Sequence, residues 1–147
     1  MSGTQDPSPI EHIGWDLTCA CRCWNAQFRC RMVEAGYGWF AEARGGLLQH
    51  IGADGVSQTT LAALSGLTKQ AVQQHLGDLE RDGIILRQTD PRDARKNHVV
   101  LSALGHDAMQ VAAGIKRGIE ADLARHLGTG ELGQLRHLLR LVANLAR

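Results

Sequence analysis

SQTTLAALSGLTKQAVQQHLGDLERDGIILRQTDPRDARKNHVVL, residues 57–101, reads as two short helix patterns followed by a hairpin pattern. Ser57 is a good helix N-cap, because its hydroxyl oxygen can accept from the open N–H groups of a first turn, and Leu61 and Leu64 give that helix an apolar side. Gly66 makes the turn. Thr68 then caps a second helix, in which Val72, Leu76 and Leu79 fall on one face at helical spacing and Gln70, Gln73, Gln74 and Gly77 on the other. After Gly83 the pattern changes to the β-type run Ile84-Ile85-Leu86-Arg87. A polar tip, Asp90-Pro91-Arg92-Asp93-Ala94-Arg95-Lys96, leads into a second β-type run, His98-Val99-Val100-Leu101. Helix, turn, helix and a hairpin with a cationic tip make a winged helix-turn-helix, which is a DNA-reading device. The predicted fold class is therefore mainly α with a small β-hairpin wing.

The wing residues Asp90-Pro91-Arg92-Asp93-Ala94-Arg95, continuing through Val100-Leu101-Ser102-Ala103-Leu104-Gly105, resemble the MarR family pattern D-P-x-D-x-R…V-x-L-T/S-x-x-G. The preceding Leu79-Glu80-Arg81-Asp82-Gly83-Ile84-Ile85 is similar to that family's exit from the recognition helix. The likeness runs over residues 35–105 by motif and over the rest by helix pattern. It implies a transcriptional regulator whose first helix packs against a second subunit, and it implies a wing pair carried here by Asp93 and Arg95.

The residue types suit that work. A glutamine amide donates and accepts at once, which matches the N6/N7 edge of adenine in the major groove. Gln70, Gln73 and Gln74 stand in the half of the second helix that enters the groove, with Thr68 and Lys69 at its start, where phosphates meet open N–H groups and a cation. His75 falls at the edge of the apolar face and reads as a packing residue. In the wing, Arg95 can enter a narrow, electronegative minor groove while Asp93 holds its guanidinium, and Arg92 and Lys96 suit phosphate contacts.

Bulk composition adds restraint. The chain has 147 residues and a formal net charge of +1, so charge alone does not announce a nucleic-acid partner. Between Gly66 and Val100, Lys69, Arg81, Arg87, Arg92, Arg95 and Lys96 stand against Asp78, Glu80, Asp82, Asp90 and Asp93. Charge must act by placement, with dimerisation supplying the rest of the affinity. No apolar run approaches the roughly 20 residues of a membrane span, and no signal-peptide pattern opens the chain, so a cytoplasmic protein with reduced thiols is expected.

Working outward, residues 1–8 read as a flexible arm. Ser8-Pro9-Ile10-Glu11 is a helix start with a capping box, and a long helix from Pro9 to Ala35 is expected, stopped by Gly36. It carries two apolar stripes. Trp15, Cys19, Cys23, Ala26, Cys30 and Val33 form one; Leu17, Cys21, Trp24, Phe28 and Met32 form the other. A second helix is expected from Trp39 to Ile51. A long helix from Ser102 to the break at Gly128-Thr129-Gly130 and a last, leucine-rich helix from Glu131 complete the chain. The expected division is a DNA-binding unit at 36–102, with 9–35 and 103–147 as a helical dimerisation region.

Cys19-Ala20-Cys21-Arg22-Cys23 invites a metal or redox reading. On a helix Cys21 points away from Cys19 and Cys23, whereas Cys19, Cys23 and Cys30 share a stripe. Three thiols on one face could bind a soft metal or sense oxidant, a task some members of the resembled family perform. They could equally be small core hydrophobes, the reading preferred here. The histidines are scattered without ligand spacing, and no phosphate loop, nucleophile elbow or catalytic carboxylate pair occurs, so neither enzyme activity nor a cofactor or metal is expected. The sequence thus points to a homodimeric regulator, expected to act as a repressor, that binds double-stranded DNA at a pseudo-palindromic site. Its release would come from a small-molecule effector held near Trp15, Trp24, Tyr37, Trp39 and Phe40. The alternatives are a thiol-based oxidant or metal sensor using Cys19, Cys23 and Cys30, or a winged helix used only for protein contacts.

Overall fold

The computed structural model describes residues 11–90 and 93–145, and the side chains of 11–89 and 98–145. The expected arm and capping box at the N-terminus lie outside those residues, apart from Glu11. The elements run α1 (Ile13–Glu34), two 3₁₀ turns (Gly38–Ala41 and Gly45–His50), β1 (Val56–Ser57), α2 (Gln58–Ser65), α3 (Lys69–Arg81), β2 (Ile85–Asp90), β3 (Asp93–Leu101), α4 (Ala103–Leu127) and α5 (Thr129–Leu145). The mainly α fold with a small wing is present, on a three-stranded antiparallel sheet of order β1-β3-β2.

The caps form as their residue types require. Ser57 accepts from the Thr60 N–H at 3.1 Å, Thr68 from Ala71 at 3.1 Å and Ser102 from Gly105 at 3.1 Å. Each satisfies an amide at a helix start that has no partner within its own helix. Ser102 also places its hydroxyl 2.6 Å from the Gly83 carbonyl oxygen, so one side chain joins the start of α4 to the entry of the hairpin. Gly105 is needed beside it, because a Cβ there would lie 2.3 Å from the Ile84 carbonyl oxygen.

Three expectations are corrected. The helix expected from Trp39 to Ile51 is two 3₁₀ turns. At Gly45 a Cβ would meet the Phe40 carbonyl oxygen at 1.8 Å, so the chain folds back on itself there, and the glycine pair Gly45-Gly46 lowers helix propensity further. Leu64 is exposed, so Leu61 alone anchors α2 in the core. The last helix starts at Thr129, two residues early, and β1 is an unexpected third strand, pairing Val56 with Val99 and Ser57 with His98.

One core serves the described chain. Val72, Leu76 and Leu79 of α3 are fully buried with Leu61 of α2, Ile85 of β2 and Ile119 of α4. Helix α1 lays one stripe, with Phe28 and Met32 buried and Trp24 half-buried, against the first 3₁₀ turn and α4. Its other stripe faces away from both: Trp15, Cys23, Ala26, Cys30 and Val33 are exposed and Cys19 half-buried. Helix α5 packs on α4 yet buries none of its own residues.

Candidate nucleic-acid interface

Helix α3 is held by its inner face and open on its outer one. With Val72, Leu76 and Leu79 locked in the core, helical geometry turns Gln70, Gln73 and Gln74 outward, and all three are exposed, as is Lys69. Thr68 spends its hydroxyl on the Ala71 amide, which leaves the Lys69 and Gln70 amides at the open end of the helix. His75 is half-buried at the edge of the packed face, where the sequence put it.

Electrostatics divides the helix in two. Its acidic groups lie at the C-terminal end, and each has a cation. Arg81 donates to Asp78 at 3.0 Å, Arg87 of β2 to Glu80 at 2.9 Å, and Arg44 to Asp82, the C-cap residue, at 2.6 Å. Each exposed pair contributes little stability. Together they neutralise the carboxylates of the helix and its C-cap, so the glutamine half presents amides and a lysine with no acid beside them.

The hairpin stands beside this helix. In β2 and β3, Ile85 pairs with Leu101, Arg87 with Val99 and Thr89 with Asn97, and the register slips between Thr89 and Asp90. Of the expected wing contacts, Arg92 lies outside the described residues. Asp93, Arg95 and Lys96 have their backbone on β3 and their side chains outside the description.

The proposed effector residues come together in part. Trp24 stacks on Phe28 with centroids 5.4 Å apart, Phe28 meets Phe40 edge-on at 6.1 Å, and Trp39 tilts against Phe40 at 5.7 Å. Tyr37 is half-buried against the same core. Lys116 of α4 lies 5.5 Å from the Phe28 ring. Trp15 stands apart, exposed on α1 with Arg22 over its ring.

The cysteines are not core hydrophobes within the chain, which corrects the packing expectation. Cys23 and Cys30 are exposed on the stripe of α1 that turns away from α4, and Cys21, on the other stripe, is exposed as well. The Cys30 thiol sits 3.5 Å from Glu34, and that hydrogen bond and the carboxylate's charge push its pKa up, away from the reactive thiolate. Among the described residues no three His, Cys, Asp or Glu side chains are grouped to hold a metal ion.

Sequence reasoning missed Arg44. It lies in a segment expected to be a plain helix, and no local pattern marks a partner as distant as Asp82.

Comparison with known proteins follows the same line. Residues 43–96 match the family model described as MarR family. No curated protein matches the chain. Among solved structures, MepR, a transcription regulator of the Staphylococcus aureus multidrug efflux pump MepA, superposes with a TM-score of 0.73 at 18% identity, over 93% of this chain and 100% of that one. A mutant of MepR bound to an oligodeoxyribonucleotide aligns at a TM-score of 0.63 and 18% identity, over 94% and 100%. A probable transcriptional regulator from Pseudomonas aeruginosa reaches a TM-score of 0.71 at 26% identity, over 90% and 97%. MepR has also been solved with ethidium bromide, at a TM-score of 0.63 and 20% identity, over 95% and 100%.

Proposed function

From a chain whose winged helix belongs to the MarR family, we propose a homodimeric, cytoplasmic transcriptional regulator that reads a pseudo-palindromic DNA site and acts by binding, not catalysis. The observation that carries the reading is the outer face of α3. Exposed Gln70, Gln73 and Gln74 sit on a helix whose cap and buried side fix its position, beside a hairpin whose second strand carries Arg95 and Lys96 in its sequence. A domain used only for protein contacts has no need to combine an amide-lined helix with an arginine-bearing wing.

Two further elements belong to this reading. The exposed stripe of α1 and the uncovered leucines of α5 are the surfaces a second copy would bury, and their exposure supports dimerisation through the two terminal helices. A two-fold dimer sets two copies of α3 about one helical turn of DNA apart, so the site should be an inverted repeat. The rings of Trp24, Tyr37, Trp39 and Phe40 form the proposed seat of a small-molecule effector that lowers DNA affinity; MepR, of similar fold, has been solved bound to a small molecule, ethidium bromide.

The experiment is a gel shift with a duplex enriched by the protein from a random pool. Gln73→Ala and Gln74→Ala should each weaken binding to that duplex by about 1–3 kcal/mol and weaken binding to random DNA far less. Equal losses on both duplexes would make α3 a backbone contact and remove the sequence-reading role.

A further inference from the structure

Arg44 lies where the ring cluster and the recognition helix meet. Its guanidinium sits 5.8 Å from the centroid of the Trp39 ring, its Nε donates to Glu42 at 3.1 Å, and its Nη1 donates to Asp82 at 2.6 Å. The side chain is 21% exposed, less than the other ion-paired arginines among the described residues, which range from 28% to 75%. Asp82 is the C-cap residue of α3; its N–H bonds back to the Asp78 carbonyl at 3.0 Å, and the N–H of Gly83 bonds to the Glu80 carbonyl at 3.0 Å. The other acids of α3 take cations from α3 itself and from β2, Arg81 and Arg87. Among the described residues, Arg44 alone brings a cation to α3 from the segment before β1.

Phe28 of α1, Phe40, Trp39, Arg44 and Asp82 therefore form one contiguous path from the first helix to the end of the reading helix. We propose that Arg44 is a positioning residue that couples the ring cluster to α3, so that displacing it from Trp39 weakens DNA binding and DNA binding alters the surroundings of Trp39. The Arg44–Asp82 bond ties the C-terminal end of α3, next to the Gly83-Ile84 entry of the wing, to the segment that carries Trp39. Loss of either partner removes the bond that fixes the helix end against the ring cluster. Because coupling between two binding events is reciprocal, the same free energy must appear at Trp39 when DNA binds.

The inference rests on the DNA-reading function, and the test separates the two. In a Trp15→Phe, Trp24→Phe background, Trp39 is the sole indole of the chain. The probe is a duplex enriched from a random pool by the unmodified protein. That duplex should change the emission of Trp39. Asp82→Asn, a conservative change at a 45% exposed side chain, should lower affinity by about two- to fivefold, as expected for one partly exposed ion pair, and should suppress the emission change. Arg44→Gln should give the same loss, and the double variant should be no weaker than either single. Single losses that multiply, or an emission change that persists in Asp82→Asn, would overturn the coupling and leave DNA reading intact. Failure of the unmodified protein to enrich any duplex would overturn DNA reading itself, and the coupling with it.

Discussion

Val72, Leu76 and Leu79 of α3 are fully buried inside a single chain, whereas no residue of α5 is buried and six of its apolar side chains are 40–84% exposed. The two helices are both amphipathic, and their neighbours explain the difference. Helix α3 is capped at both ends, its acids are paired and it packs on α2 and β2. Helix α5 packs on α4 without burying any of its own residues, and α1 repeats the pattern by burying one stripe and exposing the other. A helix can be finished by its own chain or left to be finished by another. Helix α3 is of the first kind, and α1 and α5 leave apolar surface open.

The largest effect should come from breaking the unfinished side. Leu138→Asp with Leu141→Asp should raise the dimer dissociation constant by at least about 100-fold, since each buried leucine is worth roughly 1.5–3 kcal/mol and a buried carboxylate costs more. Sedimentation should show monomers with helical content retained. An unchanged dimer would mean that α5 is not an interface. Leu76→Ala gives the counterpart within the finished side. It should cost about 2–5 kcal/mol of stability in a manner independent of protein concentration, because the cavity opens inside one chain. A concentration-dependent loss there would erase the distinction between the two regions.

A smaller effect is expected at the wing tip. Arg95→Ala should weaken binding to related and unrelated duplexes alike and lower the salt dependence by about one unit of slope. Retained affinity would exclude the wing as a DNA contact.

The smallest effect concerns the seam between α1 and α4. Asp122 accepts from Arg31 across the two helices and from Arg125 on its own, and the Arg31 hydrogen bond is the chief reason its pKa lies below the ordinary carboxylate value. A lowered folded pKa means that Asp122 stabilises the fold above the unfolded value, near 3.8, and loses that contribution as pH falls through the folded one. In urea unfolding, the gap between the parent and Asp122→Asn should hold steady from neutrality to mild acid and narrow below it. A gap that widens in acid would reverse the assignment.

Much of this was legible in the sequence wherever the determinant is local. Ser57, Thr68 and Ser102 cap the helices their residue types mark, and the apolar spacing of α3 fixes which face carries the glutamines. The 3₁₀ turns were not legible, because the close approach of the Gly45 backbone to the Phe40 carbonyl, which leaves no room for a Cβ, is a contact made only after folding. Strand β1 has two residues, too short for any alternation to show, and the Arg44–Asp82 pair spans a separation no pattern reports. The two stripes of α1 were visible, but periodicity does not say which one faces the core; that choice belongs to Phe28 and Met32 packing on α4 and the first 3₁₀ turn.

The central claim is that two copies of one glutamine-faced helix read DNA together, and selection of duplexes from a random pool by the full-length protein tests it most directly. The account predicts an enriched inverted repeat with half-sites about 10 base pairs apart, bound by a dimer, in which Gln73→Ala relaxes the preference at the same position of both half-sites. Enrichment of a single unrepeated site, or of no sequence at all, would contradict it.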